Sequence, residues 1–206
     1  MQPEIVLTQR LRLDSPVAAD QERVFEYCQD PLFERYLTAP WPYTRAHARH
    51  FLERIVPSAW AADTEYTWAI RRRGASARDA SEAVASEAVA SPLIGVISFR
   101  RDHNSIGFWI GTPHRGLGYV PEAATAVAEW VFSLGVETIV WECVAGNLAS
   151  ASVARQLGFR FTGERDSTLP YRDGKLVPSW HAQLTPDNLR VAQQGWPAVT
   201  SAARRE

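Results

Sequence analysis

The chain has 206 residues and a mass of 23.0 kDa, and 46% of its residues, including 8 Trp, are hydrophobic, which is enough for one folded domain with additions. Its 22 Lys and Arg against 23 Asp and Glu give a net charge of −1, so the broad basic field that non-specific nucleic-acid binding needs is missing. With only Cys28 and Cys143 there is no disulfide framework and no four-cysteine metal site. No apolar run approaches a membrane span, and the first residues lack the features of a signal peptide. We therefore expect a cytoplasmic protein with no metal ion and no membrane partner.

Residue periodicity predicts the elements of the first half of the chain. Residues 5–13 alternate between apolar and polar and predict a strand with one wet face, and residues 18–28 predict a helix. A second helix is predicted to begin after the capping residue Thr44 and to run to Ile55. Two further strands are predicted at residues 66–70 and 93–99.

The segment between these last two strands is of low complexity. The sequence Ser-Glu-Ala-Val-Ala occurs at residues 81–85 and again at 86–90, and two copies are too few for a repeat architecture. We predict an expanded hairpin loop, inserted at about residues 72–91, that carries no chemistry. The preceding arginines, Arg71 to Arg73, are predicted to form a solvated strand end, and any nucleic-acid contact would be limited to this neighbourhood.

The second half is predicted to contain a central strand, an amphipathic helix, a buried strand, a short helix and a closing hairpin. Pro121 and Glu122 suit the first turn of the amphipathic helix, because proline needs no N–H partner there and a carboxylate complements the helix dipole. From Pro186 to the end, the composition predicts a poorly ordered tail. The predicted ranges are 106–111, 120–134, 138–144, 148–157 and 161–184.

A glycine-bearing loop between the central strand and the amphipathic helix is the strongest chemical signal. Gly116 and Gly118 let the backbone turn tightly and approach a ligand, and the N–H groups at the helix start favour an anion such as a pyrophosphate. The loop lacks the third glycine and following acidic residue of a dinucleotide fingerprint, and it lacks the Gly-Lys-Ser/Thr of a P-loop. Its full sequence is Arg115-Gly116-Leu117-Gly118-Tyr119-Val120.

A second motif follows one strand later, with Asn147 and Ser150 opening the short helix and Gly158-Phe159 ending it. With both motifs in this order, the chain resembles the GNAT N-acetyltransferase superfamily, in the branch like the Rim-type ribosomal-protein alanine acetyltransferases. The pyrophosphate motif of that family is Arg/Gln-x-x-Gly-x-Gly/Ala. Arg115 and Gly118 match it, whereas Val120 departs from the final small residue.

The resemblance implies an α/β (α+β) fold with a mixed, twisted sheet whose central strands splay apart and which helices flank. The domain would cover residues 1–185, followed by a tail at 186–206. Acetyl-CoA would be the co-substrate and would enter the split, with Asn147 holding its pantetheine arm or its leaving end; relatives are monomers or homodimers. The backbone at Phe108, Trp109 and Ile110 would pair with that arm, and Arg115, Gly116, Leu117, Gly118, Tyr119 and Val120 would bind the pyrophosphate.

Two residues are candidates for the chemistry. Ser150 shares a helix face with apolar residues and is predicted to point inward, where its hydroxyl would donate to the CoA sulfur. The alternative is a hydroxyl that bonds to the preceding helical turn or caps the helix near Asn147. Many relatives place a tyrosine acid four residues later, but Ala154 stands there. Glu142, a lone carboxylate on the buried strand, is the candidate base, or else it emerges at a rim. Relatives with a carboxylate on the following strand would align it with Thr168 or Leu169.

The leading hypothesis is an acetyl-CoA-dependent N-acetyltransferase that acts on a primary amine, either a protein N-terminus or a small molecule. A different class is a noncatalytic acyl-CoA-binding or interaction module that kept the same fold. The departure at Val120 favours the second hypothesis, and the Asn147 and Ser150 motif favours the first.

Overall fold

The computed structural model of the protein describes residues 1–73 and 91–197. The Ser-Glu-Ala-Val-Ala repeat of the predicted insertion lies outside the described residues, as do residues 198–206.

Within residues 1–73 and 91–197, eight strands form one mixed sheet with the order β1-β2-β3-β4-β5-β6-β8-β7. Every neighbouring pair is antiparallel except β5 and β6, which are parallel. The predicted mixed sheet is thereby confirmed. The strands are β1 (Val6–Leu7), β2 (Leu11–Asp14), β3 (Glu65–Arg72), β4 (Leu93–Arg100), β5 (Ser105–Ile110), β6 (Ile139–Val144), β7 (Arg160–Asp166) and β8 (Pro178–Leu184).

Helices cover both faces of this sheet, and within the described residues none is long and apolar enough to cross a membrane. Asp30 caps a helix whose first residue is Pro31, a position that suits proline because no N–H partner is needed there. The helices are α1 (Gln21–Tyr27), α2 (Pro31–Tyr36), α3 (Arg45–His50), α4 (Val56–Ala62), α5 (Tyr119–Ser133) and α6 (Leu148–Leu157), with a π-helical segment (Phe51–Ile55) between α3 and α4.

Two hydrophobic cores lie on opposite faces of the sheet. The larger core joins α4, α5 and α6 to residues such as Ile97, Ile139 and Trp141, and we call this side the α5–α6 face. The smaller core joins α1, α2 and α3 to residues such as Ala69 and Val96, and we call this side the α1–α3 face. Because neighbouring residues of a strand point to opposite faces, each strand residue near the sheet centre belongs to one face or the other.

The sheet opens between its two parallel strands. β5 and β6 are paired only at Ser105 with Val140 and at Ile106 with Trp141. Beyond that point β5 remains paired with β4 as far as Ile110, and β6 remains paired with β8 as far as Val144. The predicted splaying of the central strands is confirmed. In the part of the chain that the structure describes, the resulting gap leaves one backbone edge of each strand without a strand partner.

The interpretation of Arg71 as part of a solvated strand end is wrong. Its side chain is buried, and its guanidinium forms ion pairs with Asp14 and Asp20, each at 2.7 Å. A buried guanidinium requires such partners, since an unpaired charge in the interior is very costly. Arg71 therefore ties β3 to the segment that contains Asp14 and Asp20, and its charge is not available to a ligand at the surface.

The first part of the expected disordered tail packs against the domain. The Arg190 N–H donates to the Leu157 carbonyl at 2.7 Å, and the Trp196 indole donates to the Phe159 carbonyl at 3.1 Å. The Trp196 ring also lies 5.6 Å from the ring of Trp141. The prediction of poor order came from the polar composition of the whole segment. It missed that the single residue Trp196 packs against the domain and holds the segment in place.

Replacing Gly158 with Ala should destabilise the fold strongly. Gly158 ends α6 with a φ of 94°, and an added Cβ would lie 2.0 Å from the Asn188 carbonyl oxygen. Left-handed backbone alone costs a non-glycine residue about 1–2 kcal/mol, and the clash adds to that cost. Gly135→Ala is the matched control, since Gly135 follows α5 with a φ of 84° and has open space around its Cβ position. Urea unfolding should show the larger loss for Gly158→Ala, and equal losses would contradict the packing of the tail.

Candidate active site

The loop before α5 holds its shape through two left-handed glycines. Gly116 and Gly118 have φ values of 72° and 76°, and Gly118 is the residue that caps α5. An L side chain rarely adopts this backbone, so the loop requires glycine at both positions.

The amides of this loop remain available to a ligand. Arg10 donates from Nη1 to the Leu117 carbonyl at 3.0 Å and from Nη2 to the Gly118 carbonyl at 3.3 Å, so the carbonyl groups are occupied. By contrast, no hydrogen bond within residues 1–73 and 91–197 uses the N–H group of any residue from 116 to 120. Unused amides at the start of a 15-residue helix suit a diphosphate, and a Cβ at Gly116 would meet only open space.

Arg10 is itself held by Glu122, a contact that sequence reasoning missed. The Glu122 carboxylate accepts from Arg10 Nε at 2.6 Å and from Thr8 Oγ1 at 2.5 Å. Partial burial opposes ionisation, but these hydrogen bonds lower the pKa of Glu122 overall. Glu122 was predicted to complement the helix dipole, and the structure gives it the further task of fixing the arginine under the loop.

The predicted pyrophosphate ligand Arg115 has a protein partner. Its Nη2 lies 2.7 Å from Asp30 Oδ2, and Asp30 also accepts from the Leu32 N–H and the Thr112 hydroxyl. Although burial opposes it, these hydrogen bonds and the Arg115 charge lower the pKa of Asp30. Arg115 therefore ties the loop to α2, and its guanidinium is shared with this carboxylate.

The three residues predicted to pair with the pantetheine arm line the gap in the sheet. Phe108, Trp109 and Ile110 are paired with β4 on one side and have no β6 partner on the other. The Trp109 ring packs edge-on against Phe33 on the α1–α3 face, at 5.4 Å. Phe108 and Ile110 pack on the α5–α6 face. Side-chain packing on both faces of the sheet therefore holds this part of β5 in place beside the gap.

Asn147 and Ser150 meet at the start of α6. Asn147 Oδ1 accepts from the Ser150 N–H at 3.1 Å, so Asn147 is the helix cap and the serine hydroxyl is not. That hydroxyl oxygen accepts from the Trp141 indole at 3.1 Å, which leaves its own proton available for donation. Cys143 is also close: burial and the Glu142 charge raise the pKa of its thiol to about 12, although a hydrogen bond from Ser150 to the thiolate acts to lower it. The thiol therefore stays protonated at neutral pH, and because a protonated thiol is only a weak acceptor, the Ser150 proton can still be donated to another group.

Glu142 lies one residue beyond the point where β5 and β6 separate. Because it follows Trp141 in the strand, its side chain lies on the α1–α3 face, opposite Ser150. The carboxylate accepts from the Thr168 N–H at 3.0 Å and from the Thr168 hydroxyl at 2.5 Å. Some relatives have a carboxylate on the strand that follows α6, at the position of Thr168 or Leu169 in this chain. Here Thr168 instead hydrogen-bonds to the carboxylate of Glu142.

Two further side chains near Glu142 were missed from the sequence. His181 is its cross-strand partner on β8, with Nδ1 3.5 Å from Glu142 Oε2. The Tyr171 hydroxyl is buried without a hydrogen-bond partner among the described residues, and burial, with the Cys143 and Glu142 charges, raises its pKa to about 12. Alternation along β8 could have placed His181 on the correct face, but no local signal pairs β6 with β8.

Comparison with known proteins places this geometry in a family. The sequence-family model of the acetyltransferase (GNAT) domain matches residues 10–160 of this chain. No curated protein matches the chain at a significant level. A ribosomal-protein-serine acetyltransferase candidate from Vibrio cholerae is 21% identical, with a TM-score of 0.70, and the match covers 89% of this chain and 98% of that one.

Two other solved structures are similar at lower identity. The ribosomal-protein α-N-acetyltransferase RimL is 16% identical with a TM-score of 0.69, over 90% of this chain and 96% of that one. The microcin self-immunity acetyltransferase MccE, in complex with acetyl-CoA and AMP, is 16% identical with a TM-score of 0.68, over 86% and 93%.

These likenesses show the shared fold, and the family model covers most of the chain. Among the described residues, no group of three or more His, Cys, Asp or Glu side chains could hold a metal ion. With the anion loop, the open sheet and the match over residues 10–160 together, the chain belongs to the GNAT family of acetyltransferases.

Proposed function

We propose that this acetyltransferase moves the acetyl group of acetyl-CoA directly to a primary amine, with Glu142 as base and Ser150 as proton donor. The observation that carries the proposal is the placement of these two residues on opposite faces of the sheet at the gap. In direct transfer the amine arrives from one side of the acetyl group and the thiolate leaves on the other. This placement puts the base, Glu142, on the side of the amine and the proton donor, Ser150, on the side of the thiolate.

The diphosphate of the co-substrate would be held by the amides of residues 116–120, and its arm would follow β5 along Phe108 to Ile110. An acetyl thioester supplies an activated acyl carbon. Glu142 takes a proton from the ammonium form of the acceptor, since a protonated nitrogen cannot attack. Ser150, oriented by the Trp141 indole, donates to the sulfur as the carbon–sulfur bond breaks.

The acceptor class rests on the family and on the shape of the α1–α3 face. Arg172 joins the β7–β8 connection to the end of α2 by donating to the carbonyl groups of Phe33, Glu34 and Leu37. This contact bridges α2 and the connection that carries Thr168, so it borders any approach to Glu142 on this face. RimL and the protein from Vibrio cholerae are named for ribosomal-protein substrates, which supports a protein N-terminus, and a small amine is the other candidate.

A panel of acceptors tests the function. Purified protein is incubated with acetyl-CoA and either N-terminal peptides or small primary amines, and thiol release is compared with product mass. We expect acetylated product from at least one class, at the amine nitrogen. Tight CoA binding without any amine-dependent thiol release would instead support the noncatalytic acyl-CoA-binding module.

Cellular location and assembly belong to the same proposal. We infer a cytoplasmic enzyme because both cysteines are free thiols, as is usual in reducing compartments. Relatives are monomers or homodimers, and light scattering of the purified protein distinguishes these two states.

Ser150→Ala should reduce turnover more than it reduces binding. Loss of the donor leaves the thiolate unassisted, and we expect kcat to fall about 10-fold with little change in KM for acetyl-CoA. Ser152→Ala is the matched control, because Ser152 is exposed on the same helix and its hydroxyl accepts only from Gln156. If the two variants have the same kcat, the Ser150 hydroxyl has no part in the chemistry.

A further inference from the structure

His181 is a buried polar side chain that the acetyl transfer described so far does not use. It lies on β8, is only 1% exposed, and neither ring nitrogen has a hydrogen-bond partner among the described residues. A neutral imidazole carries one N–H and one lone pair, and burying both without partners is unfavourable and rare in folded proteins. Such a group requires an explanation.

The polar group aligned with this ring is the Glu142 carboxylate. The two residues are directly paired across β6 and β8, which places both side chains on the α1–α3 face. Nδ1 and Oε2 are 3.5 Å apart, and a small rotation of either side chain would close this to a hydrogen bond. Catalytic hydrogen bonds are often long until substrate is bound.

Other groups around the pair favour a neutral imidazole. Burial lowers the pKa of His181, as does the charge of Arg165 on β7, whereas Glu142 opposes this shift. The backbone of Arg165 and Asp166 also opposes it from close by, although neither residue meets the geometry of a hydrogen bond to the ring. Tyr171 faces Glu142 from the β7–β8 connection. The ring is therefore uncharged at neutral pH and has a nitrogen free to accept a proton.

We propose, resting on the function above, that His181 is a positioning residue that shares with Glu142 the proton removed from the acceptor amine. The proton first bonds to Glu142, which touches the amine, and is then shared across the contact with Nδ1. The charge of the pair changes from −1 to zero, so no new charge is buried.

Sharing makes proton removal easier. An α-amino group has a pKa of about 8, an ordinary glutamate about 4.3 and an imidazole about 6.5. Transfer from the amine is therefore unfavourable by about 5,000-fold to an isolated carboxylate and by about 30-fold to an ordinary imidazole. Burial makes His181 a weaker base than an ordinary imidazole, and the adjacent Glu142 charge offsets part of that loss.

The remaining bond changes balance without a further reactant. The neutral amine forms the carbon–nitrogen bond, and the carbon–sulfur pair leaves on sulfur. The second nitrogen proton goes to that sulfur with Ser150 between them. The Glu142–His181 pair then returns one proton to water.

The contact can be tested without any substrate, by titrating the imidazole signals of the five histidines by NMR and assigning His181 with His181→Leu. We expect Glu142→Gln to move the His181 midpoint to lower pH, because a negative charge is lost. Glu164→Gln is the control: Glu164 pairs with Trp180, so its carboxylate is on the opposite face, and the midpoint should not change. An unchanged midpoint in Glu142→Gln overturns the pairing, as does the absence of any titration above pH 5 in the wild type.

Kinetics then test the role. His181→Leu removes an orphan polar group, so its melting temperature should equal or exceed that of the wild type. We expect its kcat to fall at least about 10-fold, with KM for acetyl-CoA within twofold and the acid limb of the kcat profile moved to lower pH.

His181→Gln should behave in the same way, because an amide fills the site but cannot hold the proton. If either variant keeps kcat and its pH dependence within twofold, His181 is structural and the inference fails. If the wild type itself transfers no acetyl group, the proposed function fails instead, and the NMR titration still decides whether the pair exists.

Discussion

Glu142→Gln should lower kcat by about 100-fold or more, with little change in acetyl-CoA affinity. Glutamine has the same shape, and its carbonyl oxygen can still accept from the Thr168 N–H and hydroxyl, so the side chain should stay in place. What it loses is the ability to take a proton from the acceptor. Steady-state thiol release at saturating amine measures the kcat loss, and calorimetry with CoA measures affinity.

Two further variants separate this role from a general effect of charge. Glu164 lies on the edge strand β7, with its carboxylate on the face of the sheet opposite to Glu142. Glu164→Gln should therefore leave kcat unchanged. Thr168→Val retains the backbone hydrogen bond to Glu142 but loses the hydroxyl bond, so we expect a smaller loss, of about 3- to 10-fold. A Glu142→Gln enzyme within threefold of wild-type kcat would mean that water alone removes the proton.

Local motifs predicted the parts of the site that lie close together in sequence. The turn at Gly116 and Gly118 and the helix at 148–157 are formed by neighbouring residues, and the structure has both where they were expected. That Asn147 caps this helix was not predicted. The separation of β5 from β6 was predicted from the family resemblance, and no residue pattern within either strand would have revealed it.

Contacts between distant segments could not be predicted in the same way. Arg10 contacts the loop although more than 100 residues separate them in sequence. Arg115 of the loop pairs with Asp30 at the start of α2, and the register of β6 and β8 places His181 beside Glu142. Each of these contacts depends on which strands become neighbours. Hydrophobic alternation fixes the face of a residue, but it leaves the identity of the cross-strand partner open.

The same limit explains Arg71, whose exposure was misjudged. A run of three arginines at a strand end suggests solvent, since such charges are seldom buried without partners. Its partner Asp14 is the last residue of β2 and its partner Asp20 follows that strand, and β2 pairs with β3 only in the folded sheet. The local backbone structure around the site could therefore be predicted from the sequence better than the electrostatic contacts that hold it together.

Gly118→Val should weaken CoA binding by at least about 10-fold, because the loop amides depend on a backbone that valine rarely adopts. Gly118 has a φ of 76°, and an added Cβ would also lie 3.4 Å from the Arg10 Nη2 that fixes the loop carbonyls. Gly135→Val carries the same left-handed backbone at the other end of α5 and should leave CoA binding unchanged. Comparing CoA with pantetheine locates the effect, since pantetheine follows the gap but lacks the diphosphate. If Gly118→Val weakens both ligands equally, the loop supports the domain as a whole; if only CoA binding falls, the amides of residues 116–120 hold the diphosphate.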